Sequence, residues 1–161
     1  MPLQDPRAIA NHMLIIANGR ALTQRQIHSL LFVAHGWTLA IDGEPLVSGH
    51  VSAADRGPSF LAIRQHFGKF GIEAATTLLR PRRGPAFAAP ISETEEKILA
   101  KTWQRYGKSL TSMIGITHAE GTPWSNTYFG HRRGGIIPES EIKSFFTRLA
   151  IAGRQPDQSA A

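Results

Sequence analysis

Cysteine is absent from this chain of 161 residues. Its absence excludes a disulfide framework, a zinc site built on thiolates and a cysteine nucleophile. Long hydrophobic runs are missing as well. The longest, from about Leu30 to Ile41, is interrupted by His35 and Gly36 and is shorter than the ~20 apolar residues that cross a bilayer. Because the first ten residues carry an acid and two prolines, they do not match a signal peptide, and we expect a cytoplasmic protein without a membrane segment.

Motifs of common catalytic sites are also missing, including G-x-S-x-G, the P-loop, G-x-G-x-x-G and H-E-x-x-H. The seven histidines follow no known metal-ligand spacing, and His118 with Glu120 lacks the cysteines of a zinc deaminase site. Carboxylates for glycoside chemistry would have to come from Asp55, Glu120 or the cluster Glu93, Glu95 and Glu96. The helix dipole favours carboxylates in the first turn of a helix, and this is enough to explain that cluster. We therefore predict no catalytic residue, no metal and no cofactor, and we do not expect an enzyme.

The sequence does have enough apolar residues for a core, and an excess of positive charge. With 42% hydrophobic residues, a chain of this length can form one packed domain. Much of the net charge of +6 lies in two clusters, one formed by Arg80, Arg82 and Arg83 and the other by His131, Arg132 and Arg133. Such clusters are compatible with nucleic acid or an acidic protein as partner. They are equally compatible with solubility alone, since no aromatic residues interleave with them as on a base-stacking surface.

Capping signals predict where several helices begin and end. Asp5 followed by Pro6 is typical of a first helix, and Asn18-Gly19 is expected to end it. Thr23 to Gln26 has the form of a capping box and opens a helix that Asp42-Gly43 ends. Because this second helix is apolar over most of its circumference, we expect it to be central in the domain.

Three further helices are predicted from Ser92, from Ser109 and from about Pro138, with another between Phe60 and Phe70. In the helices that begin at Ser92, Ser109 and about Pro138, the residues expected to face the core are Leu99, Trp103, Tyr106, Met113, Ile114, Thr117, Ile142, Phe145, Phe146 and Leu149. A short strand is predicted from Leu46 to Ala54, with a second at Gly135 to Ile137. Gly57-Pro58 is expected to form a turn, and residues 71–90 an exposed irregular connection.

These elements predict a mainly α fold, a single compact domain of about six helices with one or two short β-strands. The domain is expected to cover residues 1–152. Residues 153–161 are rich in small and polar side chains and are expected to form a disordered C-terminal tail.

The string THAEGTPW, residues 117–124, is the most particular segment of the second half of the chain. Gly121 and Pro123 are expected to break a helix just after His118 and Glu120. One interpretation is a buried corner in which His118 or Glu120 bonds backbone groups freed at the helix end. The other is a binding surface, because Trp124 is typical of interface anchors. The residues themselves favour the corner.

The segment from Ser29 to Leu46, SLLFVAHGWTLAIDGEPL, resembles the hallmark of Panacea-domain proteins, the SocA-like antitoxin group also found in phage and mobile-element proteins. Three further segments agree in the expected order: RGPSFLAIRQHFGKFG at residues 56–71, THAEGTPW, and IIPESEIKSFF at residues 136–146. The resemblance covers roughly residues 8–150. Where the family has a tryptophan and another aromatic before its Gly-Pro, this chain has Ala53, Ala54, Asp55 and Arg56. At that segment a partner contact would be lost or changed.

The resemblance implies a non-enzymatic protein-binding module that neutralises a protein toxin encoded by a neighbouring gene. It would do so by direct binding, or as a proteolytic adaptor that delivers the toxin to a ClpXP-type protease. The residues expected to bind the partner or support that surface are Arg56, Gly57, Pro58, His118, Glu120, Pro123, Trp124, His35 and Trp37. Each could instead simply stabilise the fold.

Two other functions compete with the antitoxin interpretation. One is a nucleic-acid-binding or regulatory protein of a phage or mobile element, using Arg80, Arg82, Arg83, Arg132 and Arg133. The other is an enzyme built on His35, His118 and Glu120. It would require these three side chains to converge in one cleft with shifted pKa values, and their scatter among core contacts would argue against it.

Overall fold

A computed structural model describes residues 3–130 and 132–153, and within them the chain forms seven helices and four short strands. The helices are α1 (Pro6–Ile16), α2 (Gln24–Asp42), α3 (Leu61–Phe70), α4 (Glu93–Tyr106), α5 (Leu110–Thr117), α6 (Pro123–Phe129) and α7 (Glu139–Gly153). The strands are β1 (Leu22–Thr23), β2 (Val51–Ala54), β3 (Gly57–Phe60) and β4 (Ala74–Ala75). The predicted mainly α, compact fold is confirmed. None of the described helices is both long and apolar enough to cross a bilayer.

The helix ends confirm the capping predictions. The side chain of Asp5 accepts a hydrogen bond from the backbone N–H of Arg7 at the start of α1. Thr23 and Ser92 each form a complete capping box, with Gln26 and Glu95 as their partners. These motifs depend only on neighbouring residues, so the sequence alone was enough to predict them.

Helix α2 is the central element, as predicted, because it packs against α1, α3, α4, α5, α7 and β3. Its most extensive contact is with α7, where Gly36 faces the ring of Phe146. A Cβ atom at position 36 would lie 2.2 Å from that ring, so only glycine fits there. Trp37 and Phe32 pack edge-on against the same ring, and Phe146 is fully buried.

The strands differ from the prediction in extent and position. β2 covers only the end of the predicted strand at residues 46–54, and it pairs with β3 in an antiparallel hairpin whose turn is Asp55-Arg56. Gly57-Pro58, predicted as a turn, lies in β3. Gly135 to Ile137 runs along β2 and forms an isolated bridge, not a strand.

The connection between α3 and α4 is irregular but fastened to the core. The buried side chain of Asn11 donates to the carbonyls of Leu79 and Phe87 and accepts from the N–H of Leu79. Leu79 and Ala75 are buried. Most of residues 71–90 are exposed or half-buried, as predicted, but the connection is anchored at Leu79 because one polar side chain of α1 satisfies three of its backbone groups.

Two other predictions need correction or fall outside the described residues. Ile114 of α5 is exposed, whereas its neighbours Met113 and Thr117 are buried. Of the predicted tail, Gly153 is the last residue of α7, and residues 154–161 lie outside the described part. His131 lies outside it too.

Candidate functional site

The β2–β3 turn meets the connection between α5 and α6 in a close polar contact. Nε2 of His118 donates to the carbonyl of Arg56 at 2.7 Å, and Nδ1 of His118 lies 2.6 Å from Oγ1 of Thr117. The imidazole also covers Gly57, whose φ is +126° and where a Cβ atom would lie 2.5 Å from Nε2. Glycine at this position is therefore required both by the backbone conformation and by the histidine.

Trp124 fixes the same hairpin from α6. Its Nε1–H donates to the carbonyl of Ala54 at 2.7 Å, and its side chain is only 6% exposed. Pro123 is buried at the first turn of α6, and Thr122 is the N-cap of that helix. Pro123 thus begins a helix, which explains why the sequence analysis missed α6. The buried corner is the interpretation that this geometry supports, but His118 bonds the hairpin and not the end of α5.

Beyond Trp124, α6 presents an exposed aromatic surface, which we define as Tyr128, Phe129 and Arg133. Phe129 is 69% exposed, and it lies edge-on to the rings of Trp124 and Tyr128 at centroid distances of 5.9 and 5.0 Å. Tyr128 stacks on Trp124 at 4.8 Å, and the guanidinium of Arg133 lies 5.0 Å from the centre of the Tyr128 ring. The hydroxyl of Tyr128 donates to Asp55, a hydrogen bond that raises the pKa of Tyr128.

An open cavity of about 550 Å³ adjoins this surface. His118, Glu120, Asn126 and Phe129 contribute to its walls. Asn126 is fixed there by a hydrogen bond from its side-chain amide to Glu141. Glu120, a predicted binding residue, is exposed at this cavity.

The predicted binding residues therefore fall into two groups. Arg56, Gly57, Pro58, His118, Glu120, Pro123 and Trp124 meet around the hairpin and the start of α6. His35 and Trp37 do not join them. Trp37 packs against Phe146 of α7, whereas His35 packs edge-on against Phe60.

His28 and His35 flank Phe60 from α2, and neither has the surroundings of an accessible acid or base. Nδ1 of His28 accepts the N–H of Phe60 at 3.1 Å, and burial, aided by Arg64, lowers the pKa of His28 to about 4. Burial also lowers the pKa of His35 to about 4. Its Nδ1 has no hydrogen-bond partner among the described residues, and Nε2 lies 3.9 Å from Glu139.

The three residues of the enzyme hypothesis are not brought together. His118 and Glu120 line the cavity beside Phe129, and His35 is not part of its wall. Across the described part of the chain, His, Asp and Glu side chains form no group of three that could hold a metal ion. No reacting constellation is present among these candidates.

Where the hairpin meets α2 and α3, a second, arginine-lined cavity has a volume of about 230 Å³. Arg56 and Pro58 lie in its wall, together with Arg25 from α2 and Arg64 from α3. Arg64 donates to Oγ of Ser59 at 3.0 Å. Within the described residues, the ion pairs are formed by other side chains.

The arginines of the nucleic-acid hypothesis are all exposed but lie beside different helices. Arg82 lies over the ring of Phe70 at the end of α3, and Arg133 lies over Tyr128 of α6. Arg80, Arg83 and Arg132 are also exposed.

Sequence reasoning missed Tyr128 and Phe129, and the grouping of Arg25 with Arg64. A signal for the aromatic pair was present, since Thr122-Pro123 is typical of a helix start and Trp124 and Tyr128 are then one turn apart. Nothing local in the sequence indicates that α2, α3 and the hairpin share one cavity.

No protein-family model, curated protein or solved structure matches this chain. The geometry of its surfaces is therefore the main guide to its function.

Proposed function

We propose that this chain is an antitoxin-like protein-binding module that docks a protein toxin on the aromatic surface. The exposure of Phe129, the most exposed large apolar side chain among the described residues, is the observation that carries the proposal. The resemblance to Panacea-domain proteins supports the toxin as the class of partner. The chain would neutralise the toxin by covering its working surface, or present it to a ClpXP-type protease.

An aromatic ring that is exposed to water is less stable than a buried one. Full burial stabilises a phenylalanine side chain by ~1.5–3 kcal/mol relative to exposure. A partner that covers Phe129 would gain binding free energy up to that amount. The neighbouring Tyr128 and Arg133 belong to the residue types that dominate binding energies at interfaces. Tyr128 stacks on the buried Trp124 and Arg133 lies over the ring of Tyr128, which reduces the conformational entropy that binding would cost.

The charge around this surface indicates the chemistry of the partner. Arg56, Arg132 and Arg133 are exposed near the hairpin or α6, and the whole chain has a net charge of +6. A toxin that presents an acidic patch around an apolar pocket would be complementary.

The roles of the predicted residues change in consequence. Tyr128, Phe129 and Arg133 contact the partner. Trp124 and His118 hold the aromatic surface in place through their contacts within the fold. Trp124→Ala should still weaken partner binding, as the sequence suggests, but mainly because removing a buried tryptophan costs ~3–5 kcal/mol of folding free energy. This variant is a poor test of direct contact.

Phe129→Ala is the sharper test. A tagged chain is co-expressed with the product of the adjacent open reading frame, and co-purification and relief of growth inhibition are measured. We expect Phe129→Ala to lose at least ~2 kcal/mol of binding free energy, which is about thirtyfold in affinity. Ile15→Ala, at a residue of α1 that is 60% exposed, is the matched control and should bind normally.

Equal binding by both variants would contradict docking on the aromatic surface. Absence of both a complex and growth rescue in the unaltered chain would contradict the antitoxin function itself.

Nucleic-acid binding is the second candidate, favoured by the exposure of Arg80, Arg82, Arg83, Arg132 and Arg133. It predicts a steep loss of affinity with added salt, because each neutralised phosphate releases counterions. Titration of duplex DNA at two salt concentrations measures this slope directly.

A further inference from the structure

The arginine-lined cavity has an excess of positive charge that no ion pair within the residues that the structure describes neutralises. Its walls carry Arg25, Arg56 and Arg64 against a single carboxylate, Asp55. That carboxylate already accepts the hydroxyl of Tyr128 at 2.9 Å. None of the three arginines forms an ion pair within the described part of the chain.

Neutral hydrogen-bonding groups line the same cavity. Ser29 and Ser59 line the cavity and are more than nine-tenths buried. The hydroxyl of Ser59 accepts from Arg64 at 3.0 Å, which orients the guanidinium. The hydroxyl of Ser29 forms no side-chain hydrogen bond among the described residues, and it is not among the buried polar atoms that lack a partner, so it is open to the cavity and free to bind a ligand.

We propose that this cavity binds a small phosphate ester, such as a pentose phosphate. Guanidinium groups bind phosphate oxygens through paired, charge-assisted hydrogen bonds. The serine hydroxyls supply neutral donors for the remaining oxygens.

The size of the cavity restricts the ligand. Its volume of about 230 Å³ is below the ~300–1,000 Å³ that is usual for drug-sized ligands. A phosphate with one sugar-sized group fits this space better than a dinucleotide or a folded peptide segment.

This site adjoins the aromatic surface at Asp55, which accepts the hydroxyl of Tyr128. Arg25 and Arg64 are not part of the aromatic surface, so their substitution tests the cavity without removing a residue of that surface. The two proposals can therefore fail separately.

The test is calorimetric titration of the full chain with ribose 5-phosphate, inorganic phosphate, citrate and ribose. We expect the two phosphates to bind and ribose not to bind. Arg64→Gln and Arg25→Gln should each weaken ribose 5-phosphate at least about tenfold, since hydrogen bonds between charged groups are lost. Arg20→Gln, which removes the same charge from an exposed residue outside the cavity, should bind normally.

Melting curves of each variant with and without ribose 5-phosphate give a second readout, because a ligand of the folded state raises the melting temperature. Equal weakening by Arg20→Gln would show attraction to net charge and overturn the site. Tighter binding of citrate than of either phosphate would overturn the assignment to phosphate. Absence of binding at millimolar ribose 5-phosphate would overturn the proposal as a whole.

Discussion

The two sides of the β2–β3 hairpin differ in how completely their polar groups are satisfied. On the side of α6, the carbonyls of Ala54 and Arg56 accept hydrogen bonds from Trp124 and His118. On the side of α2 and α3, Arg25, Arg64 and Ser29 face an open cavity. The first arrangement is closed and stabilises the fold, whereas the second leaves charges and a hydroxyl available to a ligand.

The difference shows why a conspicuous residue is not always a contact residue. His118 and Trp124 are the most particular residues of THAEGTPW, yet their polar atoms are used internally. The groups available to a partner are the less conspicuous neighbours, Phe129 on one side and Arg64 on the other. Variants that disturb one side of the hairpin at a time test this comparison.

Acidification should have the largest effect on stability, because it protonates two buried histidines of α2, His28 and His35. The pKa values of His28 and His35 are lowered to about 4 in the folded chain, while an unfolded histidine has a pKa of about 6.5. The unfolded state therefore binds more protons, and stability is lost as the pH falls from about 6.5 towards 4. We expect a loss on the order of 5 kcal/mol in total, measured by urea unfolding.

His35→Leu separates this effect from the titration of carboxylates. It removes an unpaired buried nitrogen and should flatten the pH dependence by about half, with little loss of stability near neutral pH. A pH profile identical to that of the unaltered chain would contradict the assigned role of His35.

Gly57→Ala should strongly destabilise the α6 side of the hairpin. A Cβ atom there would lie 2.5 Å from His118 in a backbone conformation with φ of +126°. Strain and overpacking together should cost about 3 kcal/mol or more, measured by chemical denaturation. Gly49→Ala is the matched control, since its φ is +87° and no atom lies within 4 Å; its loss should be ~1–2 kcal/mol.

Trp124→Phe should have an intermediate effect. The phenyl ring can keep the contact with Tyr128, but the carbonyl of Ala54 loses its indole donor. We expect a loss of ~1–3 kcal/mol in unfolding free energy. Trp103→Phe removes an indole of α4 without a hydrogen bond among the described residues, and a loss as large there would argue against a special role for the Ala54 bond.

Phe129→Ala should have the smallest effect on folding. Because the side chain is 69% exposed, the unfolding free energy should change by no more than about 0.5 kcal/mol. A loss above 2 kcal/mol would mean that Phe129 is a core residue and would remove the main support for the aromatic surface.

Local signals predicted the parts of the fold that depend on neighbouring residues. Asp5, Thr23 and Ser92 cap helices as expected, because each cap bonds groups only two or three residues away. Gly57-Pro58 misled the prediction, since glycine there accommodates His118, which is 61 residues later in the chain, and does not form a turn. The family resemblance stays a prediction.

The candidate sites were predictable only in part. The contact of Arg56 with His118 joins two strings that the sequence had singled out, but the sequence could not show which of their atoms remain available. Arg25, Arg56 and Arg64 lie in three different elements, and only the tertiary packing of α2, α3 and the hairpin brings them to one cavity.

The most direct test of the central claim measures both ligands on the same two variants. Phe129→Ala and Arg64→Gln are each titrated with ribose 5-phosphate and assayed for co-purification with the product of the adjacent open reading frame. We predict that Phe129→Ala loses the protein partner and keeps the phosphate, and that Arg64→Gln does the reverse. If both variants lost the same ligand, or neither lost any, the division of function across the hairpin would be contradicted.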